Sequence, residues 1–597
     1  MRDIMHEADF CVVGGGMAGL SAAIAAARHG VRTVLIQDRP VLGGNASSEI
    51  RMWICGAHNE NNEETGRVDP EGGDNNHETG IIEEILLENQ WRNTWPNYSV
   101  WDSILYEKAR FQENLVLLLN TYASDVEVAE DAGKVRRIVS VTGRQMTTES
   151  RVVVRAKLFS DCTGDGLVGA LAGAEFRIGR EARAEFGESI APEVADRHTM
   201  GLSCLIEARE TDRPQSFIAP SWAYRYDSDR EMPQRAHRVE GIQNFWWLEV
   251  GGMADTIHDN EELRDELLKI AFGVWDHVKN RGDHGAGNWA LDWVGFLPGK
   301  RESRRFVGDH ILCQGDVEDA GRQFEDIVGY GGWTMDDHFP EGFYRKEAGT
   351  IFHPAPSPYG IPYRCLYSRN VDNLFFAGRN ISTTHCALSS TRVQATCATL
   401  GQAVGTAAAI AVKHGLSPRG VYRERLAELK QTLMGDDCYL PFNRREINAL
   451  TRRATLSASR GDPEKLRNGL DRQIGSERNS WDARVGDSVV FDFGDPVQLT
   501  GIRIVFDSDL NRTTRNMVSY YTMASQDFAV PPSIVKSFSI EAQGGRAGEA
   551  WKNVVDVVDN HQRLVRLPLG LRAARLRFTA RETWGAEAVR VFAIDLY

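Results

Sequence analysis

The sequence predicts an α/β chain with three parts: a Rossmann-like dinucleotide-binding domain, an inserted α+β substrate domain, and a C-terminal β-sandwich. A glycine-rich loop between two apolar runs near the N-terminus predicts the first part. A further apolar run, just before Gly378, indicates that this domain resumes later in the chain. The residues after Pro441 form short, strand-like runs, which predict the sandwich. We expect the dinucleotide-binding domain at 1–175 and 350–441, the substrate domain at 176–349 and the sandwich at 442–597.

The first glycine-rich loop gives the clearest local signal. The apolar run Phe10–Val13 is typical of a buried parallel strand, and a Gly-x-Gly-x-x-Gly motif, an Ala-rich helix and a second strand follow it. The first glycine permits a tight turn, the second lets the backbone approach a pyrophosphate, and the third lets the helix pack on the strand. The helix N-terminus favours phosphate. The expected cofactor contacts are Gly14, Gly16, Met17, Ala18 and Gly19.

The second strand should end in an acidic residue that holds a ribose. Gln37 stands where Glu is usual, Asp38 comes one place late, and Arg39 follows. A glutamine side chain can still hydrogen-bond a ribose hydroxyl. Gln37 and Asp38 therefore both stay candidates.

A Gly-Gly loop follows this strand, in the sequence Leu-Gly-Gly-Asn-Ala-Ser-Ser-Glu at 42–49. NAD enzymes rarely carry such a loop there, and the sequence resembles flavoproteins of the glutathione-reductase superfold, in which FAD runs on past the pyrophosphate. The resemblance implies FAD as the cofactor. The contacts that it implies in this loop are Gly43, Gly44, Asn45 and Ser48.

A second Gly-x-Gly-x-x-Gly motif lies at 164–169. Strands at 115–120, 135–141 and 151–154 precede it and resemble the β-meander of the superfold, with Ala123 facing adenine. We reject a separate NAD domain because no second βαβ unit with a terminal acid follows. A turn that returns to the adenosine side of FAD fits better, with Thr163, Gly164 and Asp165 as contacts.

The last cofactor segment is the strand Asn373–Ala377, followed by Gly378 and Arg379 and by a long small-residue helix that contains Gln402. Taken together, the motifs at 42–51, 161–166, 298–305, 373–380 and 391–409 resemble the FAD-dependent oxidoreductases whose members often sit among sugar-metabolism enzymes. The resemblance covers about residues 8–441. It implies Gly378, Arg379 and Gln402 as further FAD contacts.

Several residues are candidates for catalysis. The resemblance places the loop of His385 beside the flavin, so His385 is the first choice for a general base. His338, which follows two aspartates, and His58 are rival sites. Arg301 clamps a substrate anion, holds the pyrimidine edge of FAD, or forms a structural salt bridge. Cys55 and His58 are also considered as points of covalent flavin attachment, with an ordinary lining role as the alternative.

Aromatic residues cluster in the predicted substrate domain, with Trp222, Trp246 and Trp293 among them. They either stack on sugar rings or pack in a core. The C-terminal part resembles discoidin-like, galactose-binding-like modules, which often bind glycans. Here the module either binds glycan or braces the enzyme, and we favour the brace.

Composition limits the function classes. A net charge of −14 argues against nucleic-acid binding and anionic membranes, and no apolar run approaches a membrane span. Nine cysteines without a Cys-x-x-Cys motif argue against a disulfide framework, a zinc site or a redox dithiol, so no metal is expected. The N-terminus lacks an apolar signal core, and a cytoplasmic setting is expected.

The function expected from the sequence is an FAD-dependent oxidoreductase. Its substrate would be a carbohydrate or related polyol that exchanges hydride with flavin N5. The electron acceptor is open, as is a homo-oligomeric state. The alternative is a non-redox flavoprotein, with structural FAD or a redox-neutral elimination or isomerisation, and a glycan-binding C-terminal module.

Overall fold

A computed structural model describes residues 2–57, 76–130, 135–235, 237, 239, 245–512, 528–545 and 549–597. Its central element is a parallel sheet made of β2 (Phe10–Val13), β3 (Thr33–Ile36), β4 (Leu115–Leu118), β8 (Leu158–Asp161) and β20 (Leu374–Phe376). The strand order is β20-β8-β2-β3-β4. The apolar runs predicted as buried strands therefore lie side by side, and their carboxyl ends share one edge.

A four-stranded sheet lies beside the parallel one. It contains β1 (Arg2–Glu7), β5 (Thr121–Glu130), β6 (Arg136–Gln145) and β7 (Ser150–Arg155), in the order β1-β7-β6-β5. The run 115–120, predicted as a strand of the meander, instead pairs in parallel with β3, and β5 begins the meander. The N-terminal residues, which showed no strand signal, pair in parallel with β7.

Eleven α-helices are present among the described residues. They are α1 (Met17–Arg28), α2 (Ile81–Arg92), α3 (Tyr98–Arg110), α4 (Leu167–Leu171), α5 (Arg183–Phe186), α6 (Asn260–Asp276), α7 (Gln314–Glu318), α8 (His385–Thr391), α9 (Gln394–His414), α10 (Pro418–Gly435) and α11 (Ala449–Arg453). The long helix predicted from about 389 to 413 is thus two helices, with a break at Arg392 and Val393.

Helix α9 packs against α1 at very close range. A Cβ atom on Gly401 would lie 2.0 Å from the carbonyl oxygen of Ala18, and one on Gly405 would lie 2.1 Å from that of Ala22. Only glycine permits this approach, which fixes α1 at the end of β2. By length and composition α9 could cross a membrane, but 94% of its apolar window is buried in the fold, as in a core helix.

The residues between the cofactor segments form small sheets around a second apolar core, which contains Trp247 and Trp275. Trp246 and Trp289 pack against this core, whereas Trp222 is exposed and Trp293 lies under the guanidinium of Arg51. Residues 312–335 contribute instead to the core of the parallel sheet. The domain boundaries stay a prediction. The strands are β9 (Phe176–Arg177), β10 (Leu202–Ser203), β11 (Ile206–Glu210), β12 (Glu249–Val250), β13 (Trp289–Val294), β14 (Gly299–Lys300), β15 (Arg305–Phe306), β16 (Ile327–Gly331), β17 (Met335–His338), β18 (Thr350–His353) and β19 (Tyr359–Pro362).

The C-terminal part is a β-sandwich, as predicted. Its strands are β21 (Thr455–Ala458), β22 (Trp481–Arg484), β23 (Ser488–Phe506), β24 (Val535–Gln543), β25 (Lys552–Val557), β26 (Leu564–Thr583) and β27 (Ala588–Leu596). The short strands predicted at 488–493 and 501–506 are one strand, as are those at 563–567 and 574–579. Register shifts in the β23–β26 pairing let these long strands bend over a core in which the rings of Phe506, Phe538 and Phe578 lie 5.3–6.2 Å apart.

The sandwich is docked on the rest of the chain through buried contacts. Both nitrogens of the Arg512 guanidinium fork bond Glu83 of α2, at 3.0 and 2.8 Å. Arg563 pairs with Asp437, just beyond α10, at 2.8 Å. These ion pairs are almost fully buried, which is typical of an internal interface and not of a loosely tethered module.

Candidate active site

A cleft of about 430 Å³ lies at the carboxyl ends of the parallel strands. The turns after β2, β3, β8 and β20 all line it, as expected for a ligand site in an open α/β sheet. Most of the predicted cofactor residues therefore meet in one place. Those that line the cleft are Gly14, Gly16, Met17, Ala18, Gln37, Asp38, Arg39, Gly43, Gly44, Asn45, Ala123, Thr163, Gly164, Asp165, Gly378 and Arg379.

The glycine loop has the geometry that the motif predicts. Gly14 has φ +102°, and a Cβ atom there would lie 2.2 Å from the carbonyl oxygen of Cys162. A Cβ on Gly19 would lie 1.8 Å from the carbonyl oxygen of Gly14, so this glycine serves helix–strand packing and does not line the cleft. A Cβ on Gly16 would meet only the Cα of Gly44, at 3.9 Å. Gly16 thus leaves the open space that a pyrophosphate needs.

The two candidates for the ribose differ in their surroundings. The Oε1 atom of Gln37 accepts a hydrogen bond from the backbone N–H of Gly15 at 2.6 Å, and its Nε2 donates to the carbonyl of Val41 at 3.1 Å. Gln37 is buried, whereas the side chain of Asp38 is exposed in the cleft. The geometry therefore favours Asp38 as the acceptor for a ribose hydroxyl.

A charged network occupies the other side of the cleft. Asp165 accepts hydrogen bonds from Lys300 and Arg379, both at 2.7 Å. Burial alone would raise the pKa of Asp165, but the charges of Arg379 and Lys300 hold it below its usual value. Asp165 is therefore a carboxylate. Two further cations, Arg304 and Arg392, also line the cleft.

Three of these cations carry a buried N–H group that finds no partner among the described residues. The atoms are Arg304 Nε, Arg379 Nη1 and Arg392 Nε. A buried unpaired donor is unfavourable, and a guanidinium fork suits phosphate and carbonyl oxygens. FAD supplies both kinds of oxygen, so Arg304 and Arg379 fit this cofactor.

Ser48 and Gln402 do not line the cleft, contrary to prediction. The amide Oε1 of Gln402 accepts a hydrogen bond from the backbone N–H of Ile81 at 2.8 Å, which ties α9 to the start of α2. The backbone N–H of Ser48 donates to Asp102 at 3.3 Å. Both residues support the walls of the site and do not face into it.

His385 does not fit the role of general base. It is buried and outside the cleft, with Glu302 2.9 Å from Nδ1 and Asp337 3.0 Å from Nε2. Burial alone would lower its pKa, but these two carboxylates raise the pKa of His385 to about 10. It is an imidazolium at neutral pH and cannot accept a proton there.

A similar arrangement surrounds His338. Its Nδ1 lies 2.6 Å from Glu249 and its Nε2 3.3 Å from Asp336. Burial opposes its charge, yet the carboxylates raise the pKa of His338. Arg301 is buried beside it, donates to Ser203 at 2.8 Å, and lies 3.5 Å from Glu249. The structural alternative therefore holds for Arg301, and neither residue reaches the cleft.

The two proposed points of covalent attachment give no support to a covalent flavin. Cys55 is buried in the core of the parallel sheet and does not line the cleft. His58 lies outside the described residues. Among the described residues that line the cleft there is no histidine.

Sequence reasoning missed several residues of the cleft. Arg392 and Gln394 flank the break between α8 and α9, and Asn260 begins α6. Lys300 and Arg392 lie within the stretches 298–305 and 391–409 that carried the family resemblance. No glycine or proline marks the break in the sequence.

The fold and the cleft define an α/β dinucleotide-binding enzyme. The chain belongs to the FAD-dependent oxidoreductase family, because the sequence model of that family, described as FAD dependent oxidoreductase, matches residues 9–433. The protein is therefore an enzyme with FAD as its cofactor. A search of curated proteins finds no match.

Solved structures share parts of the fold. A family 32 carbohydrate-binding module of EndoD from Streptococcus pneumoniae is 14% identical, with 25% of this chain and 97% of that chain covered, at a TM-score of 0.20. THI4 from Thermovibrio ammonificans is 19% identical over 32% of this chain and 76% of that chain, at 0.21. The family 32 module of Clostridium perfringens NanJ in complex with galactose is 11% identical over 25% and 95%, at 0.18. Such scores are too low to infer a shared function.

Proposed function

We propose that this FAD-dependent oxidoreductase exchanges hydride with a carbohydrate or a related polyol in the cleft. One observation carries the choice of substrate class. Asn260 Oδ1 is a buried acceptor and Arg392 Nε a buried donor, both lining the cleft and both without a partner among the described residues. A hydroxyl group donates and accepts hydrogen bonds, so a molecule with several hydroxyls satisfies both atoms.

The residues divide along the cleft. The glycine loop and the N-terminus of α1 take the pyrophosphate, and Asp38 takes the ribose. FAD, when bound, supplies hydride chemistry at its N5 atom. Asn260 and Arg392 also line the cleft and come from elements outside the βαβ unit, and we assign them to the substrate.

The charge of the cleft supports a redox role. The lining residues include five cations and three carboxylates, namely Arg39, Lys300, Arg304, Arg379 and Arg392 with Asp38, Glu49 and Asp165. An excess of positive charge favours whichever form of a bound molecule is richer in electrons. This distribution suits both the pyrophosphate of FAD and a cofactor that gains electrons.

A substrate screen tests the proposal. The FAD-loaded protein is mixed anaerobically with sugars, alditols and cyclitols, and with hydroxy acids and amines of similar size, while the visible flavin absorbance is followed. We expect polyols alone to reduce the flavin. Because a hydrogen bond to a charged group contributes about 1.5–3 kcal/mol, Arg392→Met should raise the half-saturating polyol concentration roughly 10- to 100-fold.

Arg419→Met is the matched control, since Arg419 pairs with Asp309 outside the cleft. It should leave the half-saturating concentration unchanged. Flavin reduction by hydroxy acids or amines, with no response to polyols, would contradict the substrate class.

A further inference from the structure

Three histidines and an aspartate converge in the part of the chain between the cofactor segments. His277 Nε2 lies 2.6 Å from Asp229 Oδ1 and 3.1 Å from His284 Nε2. His284 Nε2 lies 3.3 Å from the same aspartate oxygen, and His237 Nδ1 lies 3.5 Å from it. None of the four residues lines the cofactor cleft. The FAD-dependent reaction gives this cluster no role.

The hydrogen bonding of His277 points to a cation among these atoms. Its Nδ1 lies 2.9 Å from the backbone carbonyl of Tyr226, which can only accept, so Nδ1 carries a hydrogen. In neutral His277 the Nε2 lone pair then faces the Asp229 carboxylate and the His284 ring. A backbone carbonyl that fixes the outer nitrogen is the usual support for a histidine that ligates metal.

The spacings match a tetrahedral zinc site. Zinc bonds of about 2.0–2.2 Å place the ligand atoms about 3.3–3.5 Å apart. The spacings of 3.1 and 3.3 Å lie within about 0.2 Å of that range. The His277–Asp229 distance of 2.6 Å has to open by about 0.7 Å. Imidazole and carboxylate are both ordinary zinc ligands.

We propose that Asp229, His277 and His284 bind one Zn²⁺ ion, with His237 lying beside them. Three protein ligands leave the fourth tetrahedral position to a water molecule. Asp229 is 62% exposed and gives the ion a path from solvent, while His277 is 1% exposed and holds the site to the second apolar core.

The proposed ion explains how an irregular segment is held. Between β11 and β12 the described residues form only short turns, Asp229–Glu231 among them. Asp229 and His237 belong to this segment, whereas His277 begins a π-helical turn directly after α6 and His284 follows that turn. A zinc ion would staple the segment to the end of α6.

The lack of a Cys-x-x-Cys motif argued against a zinc site, but the residues of this cluster are histidines and an aspartate. Its ligands are spread over positions 229 to 284, with no short repeated spacing. Only the fold brings them together.

Metal content of the full-length, FAD-loaded protein tests the proposal. The protein is stripped with EDTA, given one equivalent of ZnCl2 and desalted, and its zinc content is measured by inductively coupled plasma mass spectrometry. We expect about one zinc per chain for the wild type and less than about a tenth for His284→Ala and Asp229→Asn. His258→Ala is the matched control, because His258 is an exposed histidine of the same region, paired with Asp255. It should keep its zinc.

A second measurement does not depend on the variants. Zinc should raise the thermal midpoint of the EDTA-treated wild type, because an ion that binds only the folded state stabilises it. Flavin content checks that each variant has folded. A wild type that retains no zinc after desalting, or a folded His284→Ala that binds zinc as the wild type does, would overturn the proposal.

Discussion

Gln37 holds the backbone of Gly15 in place: its Oε1 accepts the Gly15 N–H at 2.6 Å. The amide nitrogen of Gln37 donates to Val41 in the following loop. The position that usually carries the ribose acid thus joins the two glycine-rich loops of the cleft. Asp38, the next residue, faces the cleft instead.

Asp38→Ala should therefore weaken FAD binding without unfolding the protein. A hydrogen bond from a ribose hydroxyl to a carboxylate contributes about 1.5–3 kcal/mol, so the FAD dissociation constant should rise roughly 10- to 100-fold. Fluorescence titration of the flavin-free protein measures it. Asp495→Ala, on the exposed surface of the sandwich, is the control. An unchanged dissociation constant in Asp38→Ala would return the ribose to Gln37.

Gly16→Val should give a folded protein without flavin. The backbone at Gly16 has φ −63°, which valine accepts, and its Cβ would point into open space beside Gly44. The side chain would occupy the approach of the pyrophosphate. Gly315→Val is the control, because a Cβ there also meets nothing within 4 Å but lies outside the cleft. Circular dichroism and bound flavin are measured together, and a yellow Gly16→Val protein would refute this account of the loop.

The glycine loop and the parallel strands could be predicted because their signals are local. Gly14 is needed for its own positive φ, and Gly19 for its close approach to Gly14 within the same motif. The assignment of His385 failed for the opposite reason: Glu302 and Asp337, which set its charge, are 83 and 48 residues away in sequence. Long-range partners of this kind leave no trace in a local pattern.

The buried His385 predicts a particular pH dependence of stability. The unfolded chain loses this proton near pH 6.5, whereas the folded protein keeps it up to about pH 10. The stabilisation by Glu302 and Asp337 is therefore complete below about pH 6.5 and is lost as the pH rises through about 10.

His385→Gln should consequently be less stable than the wild type at pH 6.5, and the difference should shrink towards pH 10. Urea unfolding at several pH values measures the difference in the free energy of unfolding. A difference that stays constant over this range would show that His385 is not held as an imidazolium.

The docking of the sandwich predicts that it braces the enzyme. Arg512→Met leaves the buried carboxylate of Glu83 without its main charge partner, and removal of one member of a buried pair typically costs about 3–5 kcal/mol. We expect a large drop in the thermal midpoint, partly restored in the double variant Arg512→Met/Glu83→Gln. Arg575→Met breaks an exposed pair with Asp492 and should cost less than about 1 kcal/mol. Equal effects of the two single variants would contradict the brace.

Whether the cleft carries out redox chemistry on a polyol is tested most directly by measuring flavin reduction and product formation in the same experiment. The FAD-loaded protein is mixed anaerobically with an active polyol from the screen, and carbonyl groups are counted as the flavin absorbance falls. Loss of two hydrogens from a hydroxyl-bearing carbon gives one carbonyl for each two-electron reduction. We predict one carbonyl per flavin reduced, and no product beyond that without an electron acceptor. Product that accumulates over many turnovers while the flavin stays oxidised would show a redox-neutral reaction and contradict the account.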